Sequence, residues 1–226
     1  MTIQDFKIQV ATGEHADYAA KICDEMAESA KARGTGIATR SPEYVAGKML
    51  EGKAVIAIYK DGTWAGFCYI ETWSHGQFVA NSGLIVNPVF RKVGLAKAIK
   101  HEVFKLSRKK YPDAKIFGLT TGLAVMKINS ELGYEPVTYS ELTQDEAFWQ
   151  GCKSCVNYDI LMSKERKNCM CTAMLFDPEE KAKEIEDKMK KLSHKATLLE
   201  RIENALKKST KTIETLGLGI TKLTDI

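Results

Sequence analysis

SGLIVNPVFRKVGLA, residues 82–96, joins a short apolar run to the start of a long amphipathic helix. The run 84–86 is typical of a buried strand, and it ends near Pro88, which has no N–H for a sheet. A strand, a cationic turn and a helix N-terminus together form an anion site, because unpaired N–H groups and the helix dipole both point there. Gly94 and Ala96 lack bulk, so a ligand can approach the backbone closely. The segment predicts a site for a diphosphate.

The pattern Arg91-x-x-Gly94-x-Ala96 after a strand resembles the pyrophosphate loop of the GNAT superfamily of acyl-CoA-dependent acyltransferases, which reads Gln/Arg-x-x-Gly-x-Gly/Ala. A purely structural turn is the competing interpretation. The sequence contains neither G-x-x-x-x-G-K-S/T nor G-x-G-x-x-G after a strand, the usual phosphate-binding alternatives. The resemblance implies an acyl-CoA diphosphate on the loop Arg91, Lys92, Val93, Gly94, Leu95 and Ala96. It also implies that the fourth strand diverges from the fifth and bonds the pantetheine arm through the backbone of Leu84, Ile85 and Val86.

The bulk composition is that of an ordinary globular protein. The chain has 226 residues, 44% hydrophobic and 27% charged. No apolar run is long enough to cross a bilayer, and MTIQDFKIQV does not resemble a signal peptide, so we expect a cytoplasmic protein without membrane contact and with reduced thiols. The net charge of +4 suits an anionic cofactor, but it is too diffuse to indicate nucleic acid.

The hydrophobic pattern predicts both strands and helices, and the GNAT resemblance implies an α/β (α+β) fold in which a mixed central sheet carries helices on both faces. The predicted strands are 6–11, 54–59, 64–72, 77–86, 115–120, 137–139 and 156–162. The predicted helices are 15–33, one from Ser41-Pro42 to Gly52, one from Leu95 to before Pro112, and 123–132. The resulting order, β-α-α-β-β-β-α-β-α-β-β, is that of the GNAT fold.

The composition changes near Asp177. We therefore predict an acyltransferase domain at 1–163, a cysteine-containing connector at 164–178 and a C-terminal helical arm at 179–226. In the arm, apolar residues recur at three- and four-residue steps, which is typical of a long helix that packs on the core or on a partner. A homodimer through this helix is one expectation.

The GNAT resemblance also bears on catalysis. The segment Asn129-Ser130-Glu131-Leu132-Gly133-Tyr134 resembles the family's second motif, which in many members carries a tyrosine that protonates the leaving thiolate. Here Asn129 occupies that position, and an amide is not an acid near neutral pH, so the sequence leaves the proton to water or to Tyr139. A base is equally open: Glu71 on the third strand faces either the cleft or solvent.

The loop 32–41 is expected to close over the acyl acceptor, as the corresponding loop usually does in this fold. Its cations Arg33 and Arg40, with Lys127 on a later helix, suit a carboxylate through bidentate guanidinium contacts. An ordinary solvated loop is the alternative. An amino acid, for example a dicarboxylic one, fits the first interpretation.

The chain further resembles a bacterial group of stand-alone GNAT enzymes thought to be N-acylglutamate synthases of arginine biosynthesis. The similar segments are RGTGIATRSPEY (33–44), FCYIETW (67–73), KIFGLTTGLAVMKINSELGYEPV (115–137), FWQGCKSCVNYDIL (148–161) and CMCTAML (169–175). This resemblance implies glutamate as acceptor and acetyl-CoA or succinyl-CoA as donor. A protein lysine or N-terminal acetyltransferase is an alternative.

Two cysteine pairs, Cys152-x-x-Cys155 and Cys169-x-Cys171, have the spacing of a structural zinc site. Four sulfur ligands leave no open position for water, so any zinc here is structural. Small, partly buried thiols are the other interpretation. A third functional class follows from the zinc hypothesis and the missing tyrosine, namely a non-catalytic, zinc-stapled interaction module.

Overall fold

A seven-stranded mixed sheet carries the fold. The structure, a computed structural model, describes residues 1–34 and 39–215. The strands are β1 Phe6–Val10, β2 Ala54–Tyr59, β3 Trp64–Trp73, β4 Phe78–Val86, β5 Lys115–Thr120, β6 Glu135–Val137 and β7 Thr172–Phe176. Across the sheet their order is β1-β2-β3-β4-β5-β7-β6, and only β4 and β5 are parallel among these neighbours.

Seven α-helices connect or follow the strands in the described ranges. They are α1 Ala19–Arg33, α2 Pro42–Leu50, α3 Leu95–Lys110, α4 Leu123–Glu131, α5 Glu146–Gln150, α6 Tyr158–Ser163 and α7 Pro178–Thr215. The sequence explains their ends. Ser41 caps α2, its hydroxyl accepting the Tyr44 N–H at 3.2 Å, and Pro42 occupies the first position. Gly34, at φ +59°, ends α1 in the left-handed region.

Helices cover both faces of the sheet, as the sequence predicted. Alternate residues of β2 point to opposite sides. Ala54 and Ile56 pack in a cluster with α1 and α2. Val55 and Ala57 pack in a second cluster with α3. The predicted fold class is therefore confirmed.

The end of the sheet differs from the prediction. Residues 156–162 were expected to form the last strand, but α6 occupies this region and only Leu161 of that helix is buried. The polar and apolar residues there alternate, which imitates a strand. The true last strand is β7, within the predicted connector 164–178, and it is inserted between β5 and β6. Its central residues Ala173, Met174 and Leu175 are all buried, as a central strand requires.

The described chain divides into two units, one up to Pro178 and one from Glu179 on. The second unit contains nearly all of α7, a 38-residue helix rich in both signs of charge. Among the described helices, none has an apolar stretch sufficient to cross a membrane.

Candidate active site

The parallel strands β4 and β5 pair over only three positions. Phe78, Val79 and Ala80 pair with Lys115, Ile116 and Phe117. Beyond Ala80, β4 continues to Val86 along β3, while β5 continues to Thr120 along β7. The two strands therefore separate toward their carboxyl ends and leave a cleft, as the family resemblance implied.

A β-bulge lies on β4 just beyond the point of separation. The β3–β4 register shifts between Phe67 and Tyr69, so that three steps on β4 oppose two on β3. Gly83 has φ +64°, and a Cβ there would lie 2.4 Å from Cε1 of Tyr69, so only glycine fits. Bulges bend the strand that carries them, which turns β4 beside the cleft. The sequence interpretation missed this function of Gly83, although a glycine inside a strand pattern is its usual signal.

The predicted pantetheine-binding residues lie on the diverging part of β4. Ile85 pairs with Phe67, and Val86 pairs with Gly66, both on β3. The Ile85 and Val86 side chains are buried, and Leu84 packs against the same core at partial exposure. Since one edge of this segment bonds to β3, its other edge is the one that borders the cleft.

The predicted phosphate loop leads into the N-terminus of α3. Lys92 and Gly94 have φ of +69° and +84°, and Gly94 is the residue that precedes the helix. The N–H of Ala98 donates to the carbonyl of Gly94 at 3.1 Å, so the helical ladder begins there and the preceding N–H groups belong to the unpaired first turn. A Cβ built on Gly94 meets no atom within 4 Å. Open space, N–H groups and the helix dipole coincide here, which suits a diphosphate.

The other four predicted loop residues have definite surroundings. Leu95 is buried in the core, whereas Val93 and Ala96 are partly buried against it. Arg91 holds the loop to α1: one Nη2 donates to Glu25 Oε1 at 2.9 Å and to Ser29 Oγ at 3.0 Å. Its Nε also donates to the carbonyl of Val86 at 3.1 Å. Arg91 therefore braces the loop as well as placing positive charge beside it.

A buried carboxylate lies beside the cleft. Glu71 of β3 is only 5% exposed and pairs with Ala80, the last β4 residue that pairs with β5. Two donors reach its Oε1: the Tyr44 hydroxyl at 2.6 Å and Arg40 Nη2 at 3.3 Å. Arg40 Nε in turn donates to the Tyr69 hydroxyl at 2.8 Å. We call Arg40, Tyr44, Tyr69 and Glu71 the acidic–basic cluster.

The electrostatics of this cluster keep its donors protonated. Burial lowers the pKa of Arg40, but the neighbouring Tyr69 and Glu71 outweigh that effect, and the net shift is upward. Burial, then the hydrogen bond to Glu71, raises the pKa of Tyr44 well above its usual range. The pKa of Tyr69 is likewise raised, first by burial and then by Glu71. At neutral pH the cluster therefore holds one guanidinium and two phenols around one carboxyl group.

The three predicted acceptor cations fare differently. Arg40 lies at the centre of the cluster. Residues 35–38 and the Arg33 side chain lie outside the part of the chain that the structure describes. Lys127 is exposed on α4, and among the described residues no hydrogen bond or ion pair joins it to Glu71 or Arg40.

The sequence interpretation missed both tyrosines of the cluster. Tyr44 follows the Ser41-Pro42 cap within the first turn of α2, and Tyr69 stands two residues before Glu71 on β3. The alternation of β3 puts Tyr69 and Glu71 on one face, which was the available signal. Tyr44 joins the cluster only because α2 packs against the sheet, and the sequence pattern does not show that contact.

Asn129 is fully buried on α4, and its Oδ1 has no hydrogen-bond partner among the described residues. Its Nδ2 lies 3.7 Å from the sulfur of Met174 and 3.9 Å from a Cβ built on Gly118 of β5. A buried orphan acceptor beside β5 costs free energy unless a ligand donor or water reaches it. The unpaired Oδ1 is the observation that fits a bound pantetheine arm, since an N–H of the arm would satisfy it.

Tyr139, the other predicted proton donor, has a different partner. Its hydroxyl donates to the carbonyl of Cys171 at 2.8 Å, just before β7. Burial, followed by the nearby cysteines, raises the pKa of Tyr139 far above its usual range. This contact anchors β7, and we assign Tyr139 no chemical step.

The four cysteines of the predicted zinc site lie near one another, and zinc binding by them is not shown. Burial, followed by the neighbouring thiols, raises the pKa of Cys152 to about 11 and that of Cys171 to about 12. The Cys169 thiol donates to the Asn157 carbonyl at 3.7 Å, and the Asn157 N–H donates to Cys155 Sγ at 3.4 Å. No group of three or more potential ligands in the described residues has metal-binding geometry. The structure thus does not support zinc.

Comparisons with known proteins agree with the geometry. No protein-family model matches the chain. A thialysine N-epsilon-acetyltransferase from Caenorhabditis elegans is 27% identical over 153 residues, which is 65% of this chain and 91% of that protein.

Solved structures show the same fold at low sequence identity. N-acetylglutamate synthase from Neisseria gonorrhoeae, complexed with coenzyme A and N-acetyl-glutamate, matches with a TM-score of 0.53 and 16% identity over 76% of this chain; the match spans 35% of that synthase. A Mycobacterium tuberculosis protein in complex with CoA matches with a TM-score of 0.53 and 15% identity, over 76% of this chain and 98% of that one. A GNAT superfamily phosphinothricin acetyltransferase from Sinorhizobium meliloti in complex with AcCoA matches with a TM-score of 0.51 and 12% identity. The match covers 76% of this chain and 88% of that one. The chain therefore has the GNAT fold, as its phosphate-loop pattern predicted.

Proposed function

We propose that this chain is an acyl-CoA-dependent N-acyltransferase that acts on the amine of a small amino acid, with glutamate as the first acceptor to test. The proposal depends mainly on the position of Glu71 as a candidate base. Glu71 pairs with Ala80 at the point where β4 and β5 separate. A carboxylate beside the thioester site is suited to take a proton from an incoming ammonium group. The relative named for acetylation of thialysine supports an amino-acid amine as acceptor.

The donor is expected to lie across the cleft. Its diphosphate would meet the N–H groups before Ala98 at the start of α3, and its pantetheine arm would border β4 between Leu84 and Val86. Asn129 Oδ1 would accept an N–H from the arm. Bonds at both ends of the arm would hold the thioester carbonyl in one position. In a direct transfer, such positioning supplies a large part of the rate enhancement. Acetyl-CoA and succinyl-CoA both satisfy this geometry.

The acceptor is expected to match the charges of the acidic–basic cluster. An α-amino acid carries an ammonium and a carboxylate close together, and the cluster presents Glu71 and Arg40 with their charged atoms 3.3 Å apart. Three N–H bonds of Arg40 are used by Tyr69, Glu71 and the Thr39 carbonyl, so two of its five remain for a carboxylate. Arg40 and Tyr44 both donate to Oε1 of Glu71, and neither donates to its Oε2.

The transfer then needs no covalent enzyme intermediate. The ammonium gives one proton to Glu71, and the free amine attacks the thioester carbonyl. The tetrahedral adduct collapses as the C–S bond breaks, and a second nitrogen proton neutralises the departing thiolate or passes to solvent. A thiol has an ordinary pKa near 8.5, roughly, so its thiolate leaves readily without a dedicated acid.

The decisive experiment measures CoA thiol release with both donors across a panel of amino acids. We expect Glu71→Gln to lower kcat by roughly 10²–10⁴-fold, the usual range for a general base, with an unchanged KM for acyl-CoA. Gly94→Glu should instead raise that KM, since it adds like charge and a strained Cβ at φ +84°. The matched control is Glu51→Gln, at an exposed carboxylate that forms an ion pair with Lys53, and it should retain activity. Equal kcat for Glu71→Gln and the unsubstituted chain would refute the assignment.

Arg40 distinguishes glutamate from a lysine-like acceptor. If the acceptor carboxylate binds Arg40, Arg40→Lys should raise the acceptor KM, because an ammonium lacks the bidentate fork. Retention of thialysine or lysine acetylation together with loss of glutamate use would favour a side-chain amine, as in the Caenorhabditis relative. Activity on a lysine-containing peptide but on no free amino acid would favour a protein acetyltransferase. If no donor gives thiol release, the result would favour the third class, a non-catalytic interaction module.

Three finer assignments belong to the same proposal. Glutamate as acceptor would place the enzyme at the opening of arginine biosynthesis. Its substrates and the reduced cysteines suit the cytoplasm. Assembly through α7 is treated separately below, because a different observation supports it.

A further inference from the structure

The long helix α7 presents an apolar seam with a regular seven-residue repeat. Ile185, Met189, Leu192 and Leu199 are 59%, 65%, 67% and 54% exposed, although residues of this type are usually buried. The seam fits heptads labelled a to g over residues 182–209. Its a positions are Ala182, Met189, Ala196 and Glu203, and its d positions are Ile185, Leu192, Leu199 and Leu206.

The repeat length itself indicates what such a seam contacts. Steps that alternate between three and four residues average 3.5, which keeps one stripe facing a partner helix that supercoils with it. A helix packing on a globular surface normally shows a broader apolar face. Four heptads span about 42 Å at 1.5 Å per residue, long enough for a stable two-helix interface. The seam therefore fits another long helix better than a rounded surface.

The charges beside the seam identify the partner as a second copy of this chain. In a parallel pair, position g of one helix meets position e of the next heptad on the other. Lys195 is at g and Glu200 is at e, so each copy would offer a cation to the other's anion, twice by symmetry. Lys181 at g and Glu186 at e repeat the match, in addition to the contacts that they make within their own helix. One helix thus carries both halves of its own recognition pattern.

An antiparallel pair would oppose like charges. There e faces e and g faces g, which brings Glu186 toward Glu200 of the second copy and Lys195 toward its own equivalent. We propose that α7 forms a parallel, in-register coiled coil with α7 of a second copy. Glu203, at an a position, then meets its equivalent across the seam. The two carboxylates repel each other there, so this position lowers the stability of the parallel pair.

The first test measures the mass of the full chain in solution. We expect a dimer of about 50 kDa, twice 25.2 kDa, by light scattering coupled to size exclusion. The double variant Leu192→Glu, Leu199→Glu places charges at two d positions and should give the monomer mass. Leu198→Glu is the matched control, since Leu198 is 49% exposed at position c, off the seam, and it should remain dimeric. A monomer for the unsubstituted chain, or a dimer that survives the double variant, would overturn the proposal.

The second test fixes the orientation. In the parallel register, Met189→Cys places two thiols at facing a positions, where mild oxidation should link two chains. In an antiparallel pair with full overlap, Met189 would face Leu199 of the second copy, and the two substituted positions would lie about 15 Å apart along the axis. Lys190→Cys, at outward position b, and the unsubstituted chain with its six cysteines are the controls. A Met189→Cys dimer that does not form the 189–189 disulfide, mapped by mass spectrometry, would contradict the parallel arrangement. Neither test depends on acyltransferase activity, so their outcomes are separate from those of the proposed function.

Discussion

The core of this protein contains a lysine that should destabilise it at neutral pH. Lys100 of α3 is 2% exposed. Its Nζ donates to Asn81 Oδ1 at 3.2 Å and lies 5.2 Å from the centre of the Tyr134 ring. Burial lowers its pKa from 10.5 to about 8, because a buried ammonium loses hydration that one amide oxygen and one ring do not fully replace.

The cost follows from the difference between the two pKa values. Below about pH 8 Lys100 is charged in both the folded and the unfolded state, and the folded state carries the burial penalty, about 3 kcal/mol at 1.36 kcal/mol per pKa unit. Between about pH 8 and 10.5 the unfolded state binds more protons than the folded state, so stability rises with pH. For this group alone the gain between about pH 7 and 9.5 is about 2 kcal/mol.

Lys100→Met removes the charge and keeps the length of the side chain. Tyr134 still donates to Asn81 Oδ1 at 3.1 Å, so that oxygen keeps a partner. We expect the variant to be more stable than the unsubstituted chain at pH 7, by about 1–3 kcal/mol, as for other buried charges replaced by apolar groups. The free energy of unfolding is measured by urea denaturation at several pH values.

The difference between the two proteins should shrink by about 2 kcal/mol as the pH rises to about 9.5. Taking this difference cancels the titration of all other groups. Lys97→Met, on the same helix but 53% exposed and paired with Glu131, is the control and should change stability little at any pH. A difference that is the same at every pH would show that the Lys100 pKa is not lowered by burial.

Two further predictions concern the bulge and the cysteines. Gly83→Ala should lower the free energy of unfolding by about 2–4 kcal/mol in chemical denaturation, because of φ +64° and the contact with the Tyr69 ring. The control is Gly62→Ala, at φ +88° with no atom within 4 Å of its Cβ; it has the backbone strain alone and should lower that free energy by about 1–2 kcal/mol. Equal losses in the two variants would refute the steric explanation. Prolonged treatment with a chelator should leave the Tm unchanged, because the described residues hold no group of metal ligands; a large fall in Tm, reversed by zinc, would restore the four-cysteine site.

Much of the sheet was predictable because its strands are locally consistent. The strands Ala54–Tyr59 and Lys115–Thr120 have the predicted bounds, since glycine or a turn-forming residue closes each run. The loop before α3 was predictable for the same reason, as strand, turn and helix start each have their own local signal. The last strand was not. Thr172–Phe176 is a short apolar run whose place between β5 and β6 depends on pairing with residues more than thirty positions away, and periodicity does not encode such pairing.

The candidate site shows the same division. Glu71 and Arg40 stood out as single charged residues, but the contact between them joins β3 to the segment before α2. Tyr44 gave no signal of its own, since a tyrosine in the first turn of a helix is ordinary. The cysteine pairs have the spacing of a zinc site, but the described residues show no group of metal ligands. The same spacing also arises when thiols line a short helix and the lead into a strand.

The position of the buried lysine connects the stability of this protein to its cleft. Asn81, which accepts from Lys100, directly follows Ala80, the last residue of β4 that pairs with β5. Asn81 Nδ2 also donates to Ser107 Oγ at 2.8 Å on α3, so polar bonds from α3 hold β4 at the point where β5 turns away to β7. A charge that costs stability without a function is readily replaced by an apolar residue, whereas strained or costly groups concentrate where the fold must keep an opening. The expected pH-dependent gain in Lys100→Met would therefore measure the free energy that the chain loses by burying this charge beside the point where its two central strands separate.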